Sequence, residues 1–271
     1  MGIDWHSWTI LLVRWVHIFA SILWVGTTYY FTWLDGRFSA LEKEGARDGT
    51  PPQVWMVHSG GFYRVDKTKA FDPAFPLHWF QWEAAITWLS GIVLLGLIYY
   101  MGGVMVDESV REIGNGKAII IGLVVIFGGW AIYDAMMRSP IGKSEKLAAA
   151  IGFALLVALA WGLSQWLSGR AVYMHVGALF GTIMANNVSM RIIPSQKKMV
   201  AAVKAGGTPD AALAAGAKLR SKQNTFLAVP TVFLMLSNHF PTLTYGTRYG
   251  WVVLCVMVLV GWAAASWIRR A

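Results

Sequence analysis

Two side chains that could bind a redox cofactor lie close together near the start of the chain. Arg14 and His17 interrupt an apolar stretch, and their spacing of three residues places both on one face of a helix. A neutral imidazole is a common ligand of haem iron, and a guanidinium pairs well with a carboxylate such as a haem propionate. The pair predicts contact with a cofactor or substrate. The structural alternatives are a snorkelling Arg14 and a His17 that bonds a neighbouring helix.

A second imidazole, His175, lies in another apolar stretch. It precedes Gly177, Gly181 and Ala185, a stripe of small residues four apart that is typical of close helix packing. The same stripe would also let a flat porphyrin approach the backbone. Because His175 and His17 each lie in the outer part of their stretch, we expect them at similar depth. The two predict haem b with its iron ligated by both imidazoles.

Other polar residues in or beside apolar stretches are candidates for substrate binding or proton transfer, because such residues are costly to bury in a membrane. The group Ser237-Asn238-His239 has three possible roles, which the sequence does not separate: a third haem ligand, a substrate contact or a helix end cap. His78 with Glu83 is a candidate for a second haem or a proton path, and the alternative is that His78 is an interfacial residue beside an aromatic belt. The full set of candidates beyond the first two imidazoles is Arg14, His78, Glu83, Asn186, Asn187, Asn238 and His239.

The elements that position these residues are apolar helices. The chain is 56% hydrophobic and 14% charged, and a spanning helix needs roughly 20 mostly apolar residues. The composition predicts an all-α polytopic bundle, a single membrane domain over residues 1–271. Its one cysteine, Cys255, excludes an internal disulfide, Cys-based zinc or iron–sulfur sites and covalent c-type haem. Seven stretches qualify as spans: 15–34, 84–106, 118–137, 147–169, 171–190, 223–247 and 249–268.

The distribution of Lys and Arg predicts the orientation. Eighteen of these 23 residues fall in segments 35–75, 138–146 and 191–222 and at the C-terminus, which are expected on one side. This bias places the N-terminus outside and the C-terminus in the cytoplasm, as for a protein of the bacterial inner membrane. The chain begins without the features of a signal peptide, so we expect the first helix to be retained. The net positive charge then reflects topology and gives no support to nucleic-acid binding.

Two cytoplasmic segments have structure of their own. Residues 54–65, within the loop 35–75, read as a β-hairpin, which is marginal alone and should pack against the membrane domain. The connector 191–222 is expected to hold two short helices, the second capped by Thr208 with Pro209 in its first position. Pro230 should kink the helix that follows.

Several stretches together resemble one family. They are Arg14-Trp-Val-His17 with Trp24-Val-Gly26, His58-Ser-Gly-Gly-Phe-Tyr63, Leu77-His-Trp-Phe-Gln-Trp-Glu83, His175-Val-Gly-Ala with Met184-Ala-Asn-Asn-Val188, Ile193-Pro-Ser-Gln196 and Ser237-Asn-His-Phe-Pro241. In this order they resemble the membrane domain of the membrane-bound, cytochrome-c-linked urate oxidases, or urate hydroxylases. The resemblance implies oxidation of urate to 5-hydroxyisourate, with electrons leaving to cytochrome c. The first helix is also similar to that of the bacterial membrane protoporphyrinogen oxidases, which are haem proteins.

The resemblance has one departure, which concerns the electron acceptor. Full-length family members continue through an eighth helix into a c-type cytochrome, and this chain contains no Cys-x-x-Cys-His. We therefore expect a separate c-type cytochrome as partner. Arg14, Asn186, Asn187 and Asn238 are expected to hold the urate anion, and His239 or Glu83 to activate water. The alternatives are a haem or quinone electron-transfer subunit without a substrate, and a small-solute transporter.

Overall fold

The fold is a bundle of helices with one small hairpin. The computed structural model describes residues 2–44, 52–68 and 71–270. Arg47 and Lys69, two of the basic residues used to orient the chain, lie outside these ranges. The α-helices are α1 Trp5–Glu44, α2 Trp82–Leu94, α3 Asn115–Arg138, α4 Glu145–Ser164, α5 Gly169–Asn186, α6 Ile193–Lys204, α7 Ala211–Leu236 and α8 Gly250–Ile268. The all-α prediction is confirmed.

Irregular helical turns extend several of these helices. π-helical turns continue α2 over Leu95–Tyr100 and join α5 to α6 over Asn187–Ile192. Short 3₁₀ turns at Ser237–His239 and Pro241–Leu243 follow α7. α5 and α6 therefore form one nearly continuous rod from Gly169 to Lys204.

Within the described residues, six helices are long and apolar enough to cross a membrane. The seventh predicted span, 223–247, is not among them, because its α-helix ends at Leu236 and turns follow. α7 begins well before this span, and its first half carries Lys218, Arg220 and Lys222. Polar residues lower the mean hydropathy of α7, and some of them, such as the buried Arg220, face the interior of the bundle.

The predicted hairpin is confirmed, and it packs on α1. β1 Gln53–His58 and β2 Gly61–Asp66 pair in antiparallel fashion. Ser59 and Gly60 between them have φ values of 51° and 78°, as a two-residue primed turn requires. Val54 is buried against Leu34 and Phe38 of α1. At about 1.5 Å per residue the 40 residues of α1 span roughly 60 Å, twice the apolar thickness of a bilayer, so its last turns are free to support the hairpin.

The connector contains the expected helices, but the start of the second is shifted. α6 ends before Gly206, whose φ is 75°. α7 is capped by Asp210, whose carboxylate accepts a hydrogen bond from the N–H of Ala212 at 2.8 Å. The cap predicted at Thr208 is therefore wrong by two residues, because the carboxylate of Asp210 supplies the same kind of acceptor two residues nearer the apolar sequence.

α5 lies at the centre of the bundle and is its most buried spanning helix. It packs against α2, α3, α7 and α8. Of its small-residue stripe, Gly177 is in close contact with α7, where an added Cβ would lie 3.3 Å from Cβ of Leu234, whereas Gly181 has open space. Pro230 lies within α7, and its ring packs on Gly261 of α8.

Candidate functional site

A buried carboxylate organises the end of the bundle that carries the hairpin, which we call the hairpin end. Asp134, in the last turns of α3, accepts hydrogen bonds from Nε of Arg191 at 2.9 Å and from a guanidinium nitrogen of Arg220 at 3.0 Å. A third arginine, Arg138, lies 3.7 Å from the same carboxylate. Arg220 is only 6% exposed. α3, α7 and the π-helical turn after α5 therefore meet at one ionic centre.

Asn187 extends this centre into a polar network. Its side-chain amide donates hydrogen bonds to Oη of Tyr133 at 3.0 Å and to Oδ1 of Asn224 at 2.9 Å. Its Oδ1 accepts from Arg220 at 3.4 Å. Tyr133 in turn donates to the side-chain oxygen of Gln223. We call the set Tyr133, Asp134, Asn187, Arg191, Arg220, Gln223 and Asn224 the arginine–asparagine network.

Local backbone geometry places Asn187 in this network. Asn187 is the first residue of the π-helical turn that interrupts the rod formed by α5 and α6. A π-helical turn rotates the side chains that follow it and is frequent at functional sites. Asn187 is 1% exposed, whereas its neighbour Asn186 is half-buried and makes no side-chain hydrogen bond to the described residues.

The network borders a large cavity. A volume of about 760 Å³ lies between α3, α4, α5, α7 and α8, and Tyr133 and Gln223 form part of its wall. Lys222 and Glu145 also line it, and they pair with each other at 2.5 Å. Most of the remaining wall is apolar. The cavity thus has a polar end at the arginine–asparagine network and an apolar remainder.

The charge of the network favours an anion. Three guanidinium groups pair with the single carboxylate of Asp134, so the positive charge exceeds the negative. The buried pair of Arg220 and Asp134 is balanced, and the surplus comes from Arg191 and Arg138, whose side chains are 35% and 66% exposed. A bound anion at the polar end of the cavity would offset the surplus. Neutral amide and hydroxyl groups beside it could fix the orientation of a flat, hydrogen-bonding molecule.

His17 lies in the interface between α1 and α2. Its Nδ1 is 2.9 Å from the carbonyl oxygen of Thr87 and 3.1 Å from Oγ of Ser90. A carbonyl only accepts, so Nδ1 carries the proton, and the lone pair is left on Nε2. Nε2 has no hydrogen-bond partner in the described part of the chain. This arrangement is the one that orients a metal-binding histidine.

His175 is in a different setting. It is fully buried, its Nδ1 lies 2.8 Å from the carbonyl oxygen of Ala171, and its Nε2 lies 3.4 Å from Oη of Tyr100. The ring packs directly on Gly122 of α3, where an added Cβ would be 2.7 Å from Cδ2. Nε2 therefore faces the backbone of α3, and the packing leaves no room for a metal ion and a macrocycle.

The structure does not bring the two imidazoles together. His17 packs on Gly91 of α2, and His175 packs on Tyr100, nine residues further along the same chain segment. At 1.5 Å per residue this separates them by roughly 13 Å along α2. The similar depth expected from the sequence is not found. That expectation used the position of each histidine in its own helix, and the sequence does not show which residue of the segment 82–100 each histidine contacts. A haem held by both imidazoles does not fit this arrangement.

Asn238 belongs to a cluster at the opposite end of the bundle. Its Oδ1 accepts hydrogen bonds from Nε of Arg170 at 2.9 Å and from Oη of Tyr99 at 3.1 Å. The ring of Tyr99 also contacts that of His175. The structure thus joins Asn238 to His175 through Tyr99, and separates both from the arginine–asparagine network.

The remaining candidates lie apart from both clusters. Arg14, His78 and His239 are exposed and Glu83 is half-buried, and none makes a side-chain hydrogen bond to a described residue. His78 contacts only the edge of the Phe80 ring among the aromatic side chains of residues 71–270. Over the described ranges, no group of three or more His, Cys, Asp or Glu residues could hold a metal ion.

The comparison with known proteins gives one match. A family model described as urate oxidase N-terminal matches residues 4–270. The chain belongs to this family. No curated protein and no solved structure gives a match.

In this member of the urate oxidase N-terminal family, sequence reasoning missed most of the network. Asn187 was a candidate, but the other six members were not: Tyr133, Asp134, Arg191, Arg220, Gln223 and Asn224. Asp134 carried a usable signal, because it is the only charged residue in the stretch 118–137 and a lone intramembrane carboxylate is a functional candidate. Arg220 carried none, since it lies in a basic segment typical of a solvated connector.

Proposed function

We propose that the chain is a membrane-bound oxidoreductase that oxidises urate to 5-hydroxyisourate, or hydroxylates a related purine in the same way, at the polar end of the cavity. Membership of the urate oxidase N-terminal family supports the reaction class. The observation that carries the choice of site is the buried Arg220, held among amide and hydroxyl groups where arginine outnumbers aspartate. Among the described residues, this cluster joins a buried arginine through Asn187 to a tyrosine in the wall of a cavity.

The residues of the network suit a purine anion. Urate is an anion at neutral pH, and its ring carries N–H donors and carbonyl acceptors on several edges. Arg220 and Arg191 supply a positive field, which is strong where water is excluded. Tyr133 and Gln223 line the cavity and would contact the ring directly. Asn187 is a positioning residue, since it holds Tyr133 and Arg220 relative to each other.

The reaction requires that two electrons leave urate and that water adds to the oxidised purine. Tyr133 lies in the wall of the cavity, where its phenol is placed to exchange a proton with the substrate, while Gln223 and Asn187 orient its hydroxyl. Glu83 and His239, expected from the sequence to activate water, make no side-chain hydrogen bond or ion pair with the network in the described part of the chain. The Tyr133–Gln223 pair replaces them in the proposal.

Haem b remains in the proposal only at His17. The free Nε2 of His17 fits an iron ligand, and Arg14 lies one turn away on α1, whereas His175 has no open coordination position. A haem bound there would supply one-electron transfer. No residue of the network touches His17, so the binding and proton transfers at the polar end stand without it.

The proposed setting is the bacterial inner membrane, with residues 1–271 as a single membrane domain. The N-terminus would lie outside and the hairpin end in the cytoplasm, as the distribution of Lys and Arg indicates. Urate would then reach the network from the cytoplasm. A separate c-type cytochrome outside is the acceptor implied by the family resemblance.

The test is urate oxidation by the purified chain with ferricyanide as an artificial acceptor. We expect urate absorbance to fall, 5-hydroxyisourate to form and two ferricyanide ions to be reduced per urate. Boiled protein and allantoin in place of urate are the controls. A folded preparation that leaves urate unchanged with ferricyanide and with cytochrome c would overturn the proposed function.

A further inference from the structure

The apolar part of the cavity opens sideways, between α3 and α4. α3 packs on α5, and α4 packs on α8, so these two helices diverge above the turn that joins them. Val124 and Ile132 of α3 and Leu155 of α4 line the cavity and are exposed, with 63%, 59% and 47% of their surface accessible. In a bilayer this opening faces the hydrocarbon region. A molecule dissolved in the membrane could therefore enter without crossing water.

The wall of the cavity also contains hydrogen-bond donors that have no acceptor among the described residues. Nε1 of Trp262 is buried and has no partner within the described ranges. Ser266, one turn further along α8, makes no side-chain hydrogen bond there either. Unsatisfied buried donors are uncommon in proteins, so Nε1 of Trp262, the buried donor without a partner in the described residues, indicates a ligand with an acceptor atom.

These features select one class of occupant. It must dissolve in lipid, carry acceptors at one end and have an apolar tail long enough to leave between the helices. The acceptors of a phospholipid are its ester carbonyls, which are tied closely to its phosphate. The phosphate of such a lipid would seek Lys222, which is already paired with Glu145. A quinone has two carbonyl acceptors on a flat ring and an apolar tail, and fits all three requirements.

We propose that this cavity binds a membrane quinone, which takes the electrons from the substrate. The proposal rests on the proposed urate oxidation. Urate and water give 5-hydroxyisourate, two electrons and two protons, as a new C–O bond joins the water oxygen to the purine ring. The quinone takes both electrons and both protons on its two oxygens and leaves as the quinol. The chain then needs no cytochrome as its first acceptor.

Binding is tested first, because it does not depend on catalysis. Decylubiquinone is titrated calorimetrically into the purified full chain in detergent. Gly152 of α4 lines the cavity, and an added side chain there meets only Met136, at 4.0 Å. We expect saturable binding to the unaltered chain and at least tenfold weaker binding to Gly152→Leu. Gly162→Leu, on the same helix but outside the cavity and in open space, is the matched control and should bind normally.

A second variant tests the donors. Trp262→Phe removes Nε1 but keeps a ring against Phe153. We expect about fivefold weaker quinone binding, the usual effect of one neutral hydrogen bond. The inference is overturned if the chain binds no quinone, if both glycine variants lose binding equally, or if co-purified phospholipid fills the cavity and quinone does not displace it.

The activity arm separates this inference from the proposed function. Urate is supplied with decylubiquinone, cytochrome c or ferricyanide in parallel, and quinol formation is followed. Quinol formation that depends on urate supports the inference. Urate oxidation with ferricyanide or cytochrome c but not with quinone overturns the quinone assignment alone. No oxidation with any acceptor overturns the proposed function, while the binding result still decides whether the cavity takes a quinone.

Discussion

Asn187 donates a hydrogen bond to Oη of Tyr133 at 3.0 Å, and this bond joins a buried ionic centre to the wall of a large cavity. On one side of Asn187 lies Arg220, which is paired with Asp134. On the other side lies the polar end of the cavity. The position of Asn187 depends on the π-helical turn that starts at this residue. Charge, cavity and backbone irregularity therefore coincide at one place in the bundle.

Loss of the Asn187 amide should weaken the fold more than loss of its neighbour. Asn187→Ala leaves buried partners on Tyr133 and Asn224 unsatisfied, which costs about 1–3 kcal/mol of the free energy of unfolding per buried group. Asn186→Ala removes an amide with no side-chain hydrogen bond in the described chain. Thermal unfolding in detergent should show a lower Tm for Asn187→Ala by several degrees and a small change for Asn186→Ala. Equal shifts would contradict the network.

The packing of His175 on α3 predicts an effect at Gly122. Gly122→Ala places a methyl group against the His175 ring, and overpacking of this kind costs about 1–3 kcal/mol. Gly181→Ala is the matched control, since Gly181 has open space and alanine favours a helix by up to about 1 kcal/mol. We expect a lower Tm for the first variant and an unchanged or higher Tm for the second. The reverse order would place His175 elsewhere.

The two imidazoles should differ in any haem-containing preparation. Because Nε2 of His17 is free and Nε2 of His175 faces α3, His17→Ala should abolish the Soret band. His175→Ala should retain it. Absorbance spectra of the oxidised and reduced proteins provide the measurement. A band that survives in His17→Ala and disappears in His175→Ala would reverse the assignment.

The hairpin should detach when its buried residue is made polar. Val54 packs on Leu34 and Phe38, whereas Val57 on the same strand is 71% exposed. Val54→Asp should expose the hairpin to limited proteolysis within minutes under conditions in which the unaltered chain resists. Val57→Asp adds the same charge on the outer face and should behave like the unaltered chain. Similar digestion of both variants would show that the hairpin is not held by Val54.

The helices and the hairpin could be predicted from local patterns in the sequence, because each of these elements forms between residues that are close in the chain. The alternation in 54–65 and the Ser59-Gly60 turn were sufficient for the hairpin, and apolar length was sufficient for six helices. The length of α7 was misjudged, since the buried Arg220 resembles a solvated residue when only its neighbours are read.

The site was harder to predict, because its residues come from distant segments. Asp134 and Arg220 lie 86 residues apart. The relative depth of His17 and His175 depends on which residue of α2 each contacts, and no local pattern encodes that register. Asn187 was found because it interrupts an apolar stretch. Its partners could be recognised only when the helices were packed together.

The most direct test of urate oxidation at the network is the kcat/KM for urate of Arg220 variants, measured with ferricyanide and with Tm recorded for each protein. Arg220→Gln removes the buried charge, and loss of a charged partner that stabilises the transition state costs about 100-fold or more. Arg220→Lys should recover part of that loss, since it keeps the charge. Lys218 lies on α7, as Arg220 does, and its exposed charge pairs with Asp35 of α1. Lys218→Gln is therefore the control and should leave kcat/KM unchanged. Folded Arg220→Gln protein that oxidises urate as well as the unaltered chain would contradict the assignment of the network to the substrate.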